Sequence, residues 1–144
     1  MPITPNEVRE VIHKYVEAWT TGDKQLLLSV FAEDAVWCDP VGTPAFVGHK
    51  GIAAFWDFAH QDSARELTPQ VNRIVVCANE GILDFTMKVR VPKLNQGLDL
   101  RVVDRFVVND QGKIQNANAY WDESSASAPE GMEFFVPNID EAYK

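Results

Sequence analysis

The chain of 144 residues carries 13 basic and 21 acidic side chains, for a net charge of -8, and is 46% hydrophobic and 24% charged. This balance fits one globular domain large enough to hold a pocket in its core, and it excludes a disordered or fibrous chain. No Lys or Arg cluster supplies the basic stripe that nucleic acid requires, no run of about 18 apolar residues could span a membrane, and the N-terminus lacks a basic-then-apolar leader. The expected setting is therefore the cytoplasm, without nucleic acid or membrane as partner. Cys38 and Cys77 are too few and too far apart for a disulfide framework or a metal knuckle. They read as reduced structural thiols, and three scattered histidines do not make a zinc site, so no metal is expected.

In chain order, Thr4-Pro5-Asn6-Glu7 has the form of a capping box with Pro in the first turn, and Gly22 supplies a stop. Between them Val8, Val11, Ile12, Tyr15, Val16 and Trp19 recur at helical spacing, which places Tyr15 on the buried stripe. Asp23 can cap a second helix carrying Leu26, Leu27, Val30 and Phe31. Ala35 to Asp39 then reads as a short strand ended by Pro40, and a third helix over about 49–60 puts Ile52, Phe55, Trp56 and Ala59 on one side. After Pro69 the period changes to two. Residues 71–77, 82–91, 98–108 and 113–121 read as strands separated by turn-forming segments. Helices first and a meander after them predict an α+β fold, with three helices in the N-terminal half covering the concave face of a curved antiparallel sheet and a pocket between the layers. Residues 1–123 form this domain. Residues 124–144 form a tail whose apolar run Met132-Glu133-Phe134-Phe135-Val136-Pro137 is expected to pack on the same subunit or on a partner.

Three polar side chains occupy apolar positions. Alternation along the strand from Leu100 puts Leu100, Val102, Asp104, Phe106 and Val108 on one face and Arg101, Val103, Arg105 and Val107 on the other, so Asp104 is the one charge among apolar neighbours. A carboxyl so placed keeps its proton unless a cation accompanies it, and a protonated acid can donate a hydrogen bond. Asp99, of opposite parity, is the better candidate for a solvated carboxylate. Asp39 ends its strand pointing to the same interior. Each also has an ordinary reading. Asp104 can be satisfied by backbone amides or an arginine, Asp39 can cap a turn, and Tyr15 can simply pack and tie its hydroxyl to a neighbour. Together they match a chemical need, since removing a proton beside a ketone requires a base near the carbon and donors near the oxygen where charge develops.

Over about residues 6–123 the sequence resembles the ketosteroid isomerases, a family of the NTF2-like (SnoaL-like) superfamily. Tyr15-Val16-Glu17-Ala18-Trp19-Thr20-Thr21-Gly22-Asp23 is similar to the family's first helix and its exit, with Tyr15 at the oxyanion tyrosine. The stretch from Phe31 to Gly42 resembles the segment that leads to Asp-Pro-x-Gly, whose aspartate is the proton-transferring base, here Asp39. Val102-Val103-Asp104-Arg105-Phe106, with Gly112-Lys113-Ile114 and Ala119-Tyr120-Trp121, resembles the strand bearing the protonated oxyanion aspartate, here Asp104, and the strand after it. The resemblance implies a cofactor-free isomerase that converts 3-oxo-Δ5 steroids to conjugated Δ4 ketones, in a homodimer packed through its sheets. Trp56, Phe58, Phe85, Met87, Phe106 and Trp121 are candidates for walls around a flat apolar steroid. Two departures stand out. Phe31 and Trp56 occupy positions where the family often has supporting tyrosines, and the tail beyond Ser124 is unusually long.

The same fold hosts dehydratases, epoxide hydrolases, polyketide cyclases and plain binding domains. The alternatives to a steroid isomerase are thus another enzyme of the superfamily or a non-catalytic binder of apolar ligands. The first would bring in a His or an Asp-Arg pair, whereas His13, His49 and His60 read as solvated on helices.

Overall fold

The computed structural model describes residues 2–61 and 64–135. Helix α1 (Pro5–Thr21) begins with the capping box read from the sequence: Glu7 N–H donates to Thr4 Oγ1 at 3.2 Å, and Thr4 N–H donates to Glu7 Oε1 at 3.3 Å. It stops at Gly22, whose φ of +70° is the left-handed conformation that ends helices. Asp23 caps α2 (Lys24–Val30) by accepting from Leu26 N–H at 3.0 Å. The chain then runs through β1 (Phe31–Cys38) and the short β2 (Phe46–Val47) into α3 (Gly48–Ala59). The meander follows as β3 (Glu66–Cys77), β4 (Glu80–Val91), β5 (Gln96–Val108) and β6 (Ile114–Tyr120). Within the tail, β7 (Ala126–Ser127) and β8 (Glu133–Phe134) are two-residue strands.

The main sheet has the order β2-β1-β6-β5-β4-β3, and both tail strands pair with β5. Pairing along the meander is antiparallel as expected, but β1 joins β6 in parallel and β8 joins β5 in parallel, so the sheet as a whole is mixed. Bulges in β1, β3 and β6 bend the sheet. Helix α1 lies over β3 and β4 while α3 lies over β1 and β2, leaving the core between the two layers. Gly81 lets α1 settle on β4, because a Cβ there would collide with the Ile12 side chain. Cysteines 38 and 77 are free thiols, the first half-buried and the second exposed. No helix among the described residues is long and apolar enough to cross a membrane.

The tail packs on its own subunit. Pro129 sits against Gly97, Asn95 Nδ2 donates to the Gly131 carbonyl at 3.1 Å, and Phe135 N–H donates to the Gly97 carbonyl at 2.8 Å. Val136 and Pro137 of its apolar run lie outside the described residues.

Candidate active site

A cavity opens between the sheet's concave face and the helices, with about 130 Å³ open to the centres of water molecules and about 770 Å³ free of atoms when the mouth is counted. Tyr15, Asp39 and Asp104 all line it. Each arrives by a separate local rule. Tyr15 is on the buried stripe of α1, Asp39 follows the last residue of β1, and Asp104 lies on the inward face of β5. Inward alternation on β5 is as the sequence implies, with Val102, Asp104, Phe106 and Val108 buried and Arg101 and Val103 exposed.

Asp104 is 2% exposed, and its Oδ2 has no hydrogen-bond partner among the described residues. Burial pushes its carboxyl well above the usual range, the negative charge of Asp39 pushes it further, and the Tyr15 hydroxyl pulls partly the other way. The first two effects both favour the neutral form of the Asp104 carboxyl. Asp39 is enclosed by protein except where it faces the cavity, and it accepts a 2.6 Å hydrogen bond from Trp121 Nε1. Burial raises its pKa from 3.8 to about 6, and the Trp121 bond restrains the rise. Tyr15 is pushed above its ordinary value by burial first, then by the charges of Asp104 and Asp39. Against these, the Trp19 indole N–H completes no hydrogen bond but is near enough to the phenol to favour its ionised form. Both carboxyls are thus raised, Asp39 to about 6 by burial, and Asp104 by burial and by the charge of Asp39.

Around Tyr15 the neighbours are aromatic rather than phenolic. Phe106 lies 4.9 Å away, Phe31 and Trp37 each lie 6.2 Å away, and all three meet the ring edge-on. Among the expected walls, Phe58, Phe85, Met87 and Trp121 do line the cavity. Two do not. Phe106 is fully buried behind Tyr15, and Trp56 is a layer further out, 4.7 Å from Trp19 and 4.0 Å from His60. Helical period identifies the buried side of α3, but Phe55 rather than Trp56 takes the inner place on it. Trp19, read from the sequence only as a buried position, is also a wall, as is Trp37 of β1.

Of the three histidines expected to be solvated, two are not. His13 is exposed, but His49 is half-buried with Nε2 donating to the Phe31 carbonyl at 2.9 Å, and His60 stacks on Trp19 and Trp56 with Nδ1 donating to the Trp56 carbonyl at 2.8 Å. Neither lines the cavity. Asp99 is likewise half-buried, paired with Arg90 at 2.7 Å. Arg65, in the segment before β3, enters the lining unannounced by any periodicity. Among the described residues no cluster of three or more His, Cys, Asp or Glu side chains is placed to hold a metal ion.

This architecture is the NTF2-like α+β cone, and solved structures share it. SalBIII, an epoxide hydrolase/cyclase-like enzyme with a role in pyran ring formation in the polyether salinomycin, is 18% identical with a TM-score of 0.76, over 86% of this chain and 97% of its own. RV0760c from Mycobacterium tuberculosis is 18% identical with a TM-score of 0.75, over 88% of this chain and 99% of its own. An epoxide hydrolase of M. tuberculosis described as LEH-like is 17% identical with a TM-score of 0.71, over 84% and 86% of the two chains. The family model of the SnoaL-like domain matches residues 12–117, and the chain belongs to that family.

Proposed function

We propose that the protein is a steroid Δ-isomerase acting on 3-oxo-Δ5 steroids. The observation that carries this reading is the gathering of Asp39, Asp104 and Tyr15 in one largely apolar cavity, where burial raises Asp39 to about 6 and lifts Asp104 well above the usual carboxylate range. The pairing of an ionised base with a phenol and a neutral acid is the one known of the ketosteroid isomerases. In the proposed reaction, ionised Asp39 takes the proton from the carbon between the ketone and the alkene. The electron pair released moves onto the ketone oxygen, and the dienolate accepts hydrogen bonds from Tyr15 and Asp104. Asp39 then returns the proton two carbons further along, so the base is regenerated and nothing else is consumed. Phe58, Phe85 and Met87 supply apolar walls for a flat substrate. We also propose a homodimer through the outer sheet face, where the cross-strand partners Val103 and Tyr120 are 39% and 49% exposed.

The test is optical. On adding 5-androstenedione, conjugated-enone absorbance should grow with wild type and be nearly absent with Asp39→Asn. Saturable binding without enone would point instead to a ligand-binding module. A second reading, epoxide opening with Asp39 as base and Asp104 as acid, draws on the epoxide hydrolase character of two of the structural relatives. Conversion of an epoxide to a diol or cyclic ether, with no enone formed from the steroid, would favour it.

A further inference from the structure

The cavity has two chemically different ends. Asp104 and Leu98 both line it from β5, six positions apart along the strand, a span of about 20 Å. At the Leu98 end the neighbouring strands contribute Val89 and Leu67, which are in register with Leu98 and with each other. Arg65 joins this end two residues before Leu67. Its Nη1 donates to the Ala59 carbonyl at the end of α3 at 3.2 Å, and its guanidinium lies 5.0 Å over the Phe135 ring. Phe135 is in turn tied to Gly97 of β5. Arg65 is thus anchored by α3 on one side and the tail on the other, at the far end from Tyr15, Asp39 and Asp104. Among the described residues it is the only cation in the lining, and the wall between the two ends is almost wholly apolar.

We propose that Arg65 is a specificity-determining residue that receives a carboxylate carried by the substrate at the end remote from the reacting ketone. Combined with the isomerase reading, on which the identity of the reacting end rests, the substrate class is a 3-oxo-Δ5 steroid with an acid-bearing side chain. A guanidinium offers five donors in a planar fork that matches a carboxylate, and apolar walls around it strengthen the charge-assisted bonds. A chain of net charge -8 repels anions in general, so an anionic substrate needs a local cation of this kind to be accepted.

The experiment is a tryptophan-fluorescence titration of wild type, Arg65→Lys and Arg65→Met with a Δ4-3-oxo steroid bearing a side-chain carboxylate and with its methyl ester. Wild type should bind the acid about 10- to 100-fold more tightly than the ester, as expected for a hydrogen-bonded charge pair. Arg65→Met should bring the ratio close to one, and Arg65→Lys should fall between. Equal affinity of wild type for acid and ester would overturn the proposal, as would an unchanged ratio in Arg65→Met shown by circular dichroism to be folded. If Arg65→Met fails to fold, the wild-type ratio and its partial loss in Arg65→Lys decide the matter. Isomerisation of the Δ5 acid is followed separately by enone absorbance. Acid preference without turnover overturns the isomerase reading and supports the role of Arg65, whereas turnover without acid preference does the reverse.

Discussion

Replacing Asp39 with Asn should make the protein more stable and almost inactive at the same time. Asp39 has a folded-state pKa of about 6 against an ordinary value of 3.8. Because the folded value is the higher one, its contribution to stability is fully present below pH 3.8 and is lost as pH rises through about 6. The gap amounts to about 3 kcal/mol withheld from the folded state above pH 7. Asn keeps an oxygen for the Trp121 Nε1 bond but brings an amide that needs partners of its own, so the expected gain at pH 8 is about 1–3 kcal/mol. Urea unfolding of both proteins at pH 4, 6 and 8, with equal slopes confirming the same exposed surface, reads this directly. The variant should lead at pH 8, and the lead should vanish near pH 4. Turnover of a 3-oxo-Δ5 steroid should fall about 10²- to 10⁴-fold for loss of the base. A variant no more stable than wild type at pH 8, or a gap that does not close on acidification, would refute the reasoning about burial of this carboxyl.

The pH dependence of kcat/KM should show an acid limb centred near pH 6, since only ionised Asp39 can accept the proton. Trp121→Phe removes a donor that favours the ionised form and should move that limb to higher pH, read from rate profiles between pH 5 and 8. Asp104→Ala should lower kcat by about 10²- to 10³-fold for a lost oxyanion donor, with Tyr15→Phe giving a loss of similar order. Steady-state assays of the two single variants and the double variant should show that their effects do not multiply, because the two groups are neighbours that influence each other's ionisation.

Much of this arrangement is legible in the residue order because local rules act on it. The capping box at Thr4, the stop at Gly22 and the strand alternation around Asp104 depend on near neighbours, and the structure follows all three. Depth and distant pairing are another matter. Period places Trp56 and Phe106 on inward faces, but whether a side chain reaches the cavity depends on what stands in front of it, and Trp19 and Tyr15 stand there. Parallel pairing of β1 with β6 joins segments about 80 residues apart, which no local pattern encodes. Arg65 lies in a polar connection without periodicity, and Phe135 is visible in the sequence only as part of an apolar run whose target is set by the fold. His60 looks like a surface histidine at a helix end until the Trp19 and Trp56 rings are placed against it.

The account depends most on Asp104 holding its proton. Infrared difference spectroscopy of protein labelled with ¹³C in its aspartate carboxyls, comparing wild type with Asp104→Asn, reads that proton directly. A protonated carboxyl band persisting at pH 8 in wild type and missing from the variant is the expected result. A wild-type spectrum at pH 8 containing only ionised carboxylates would contradict the mechanism.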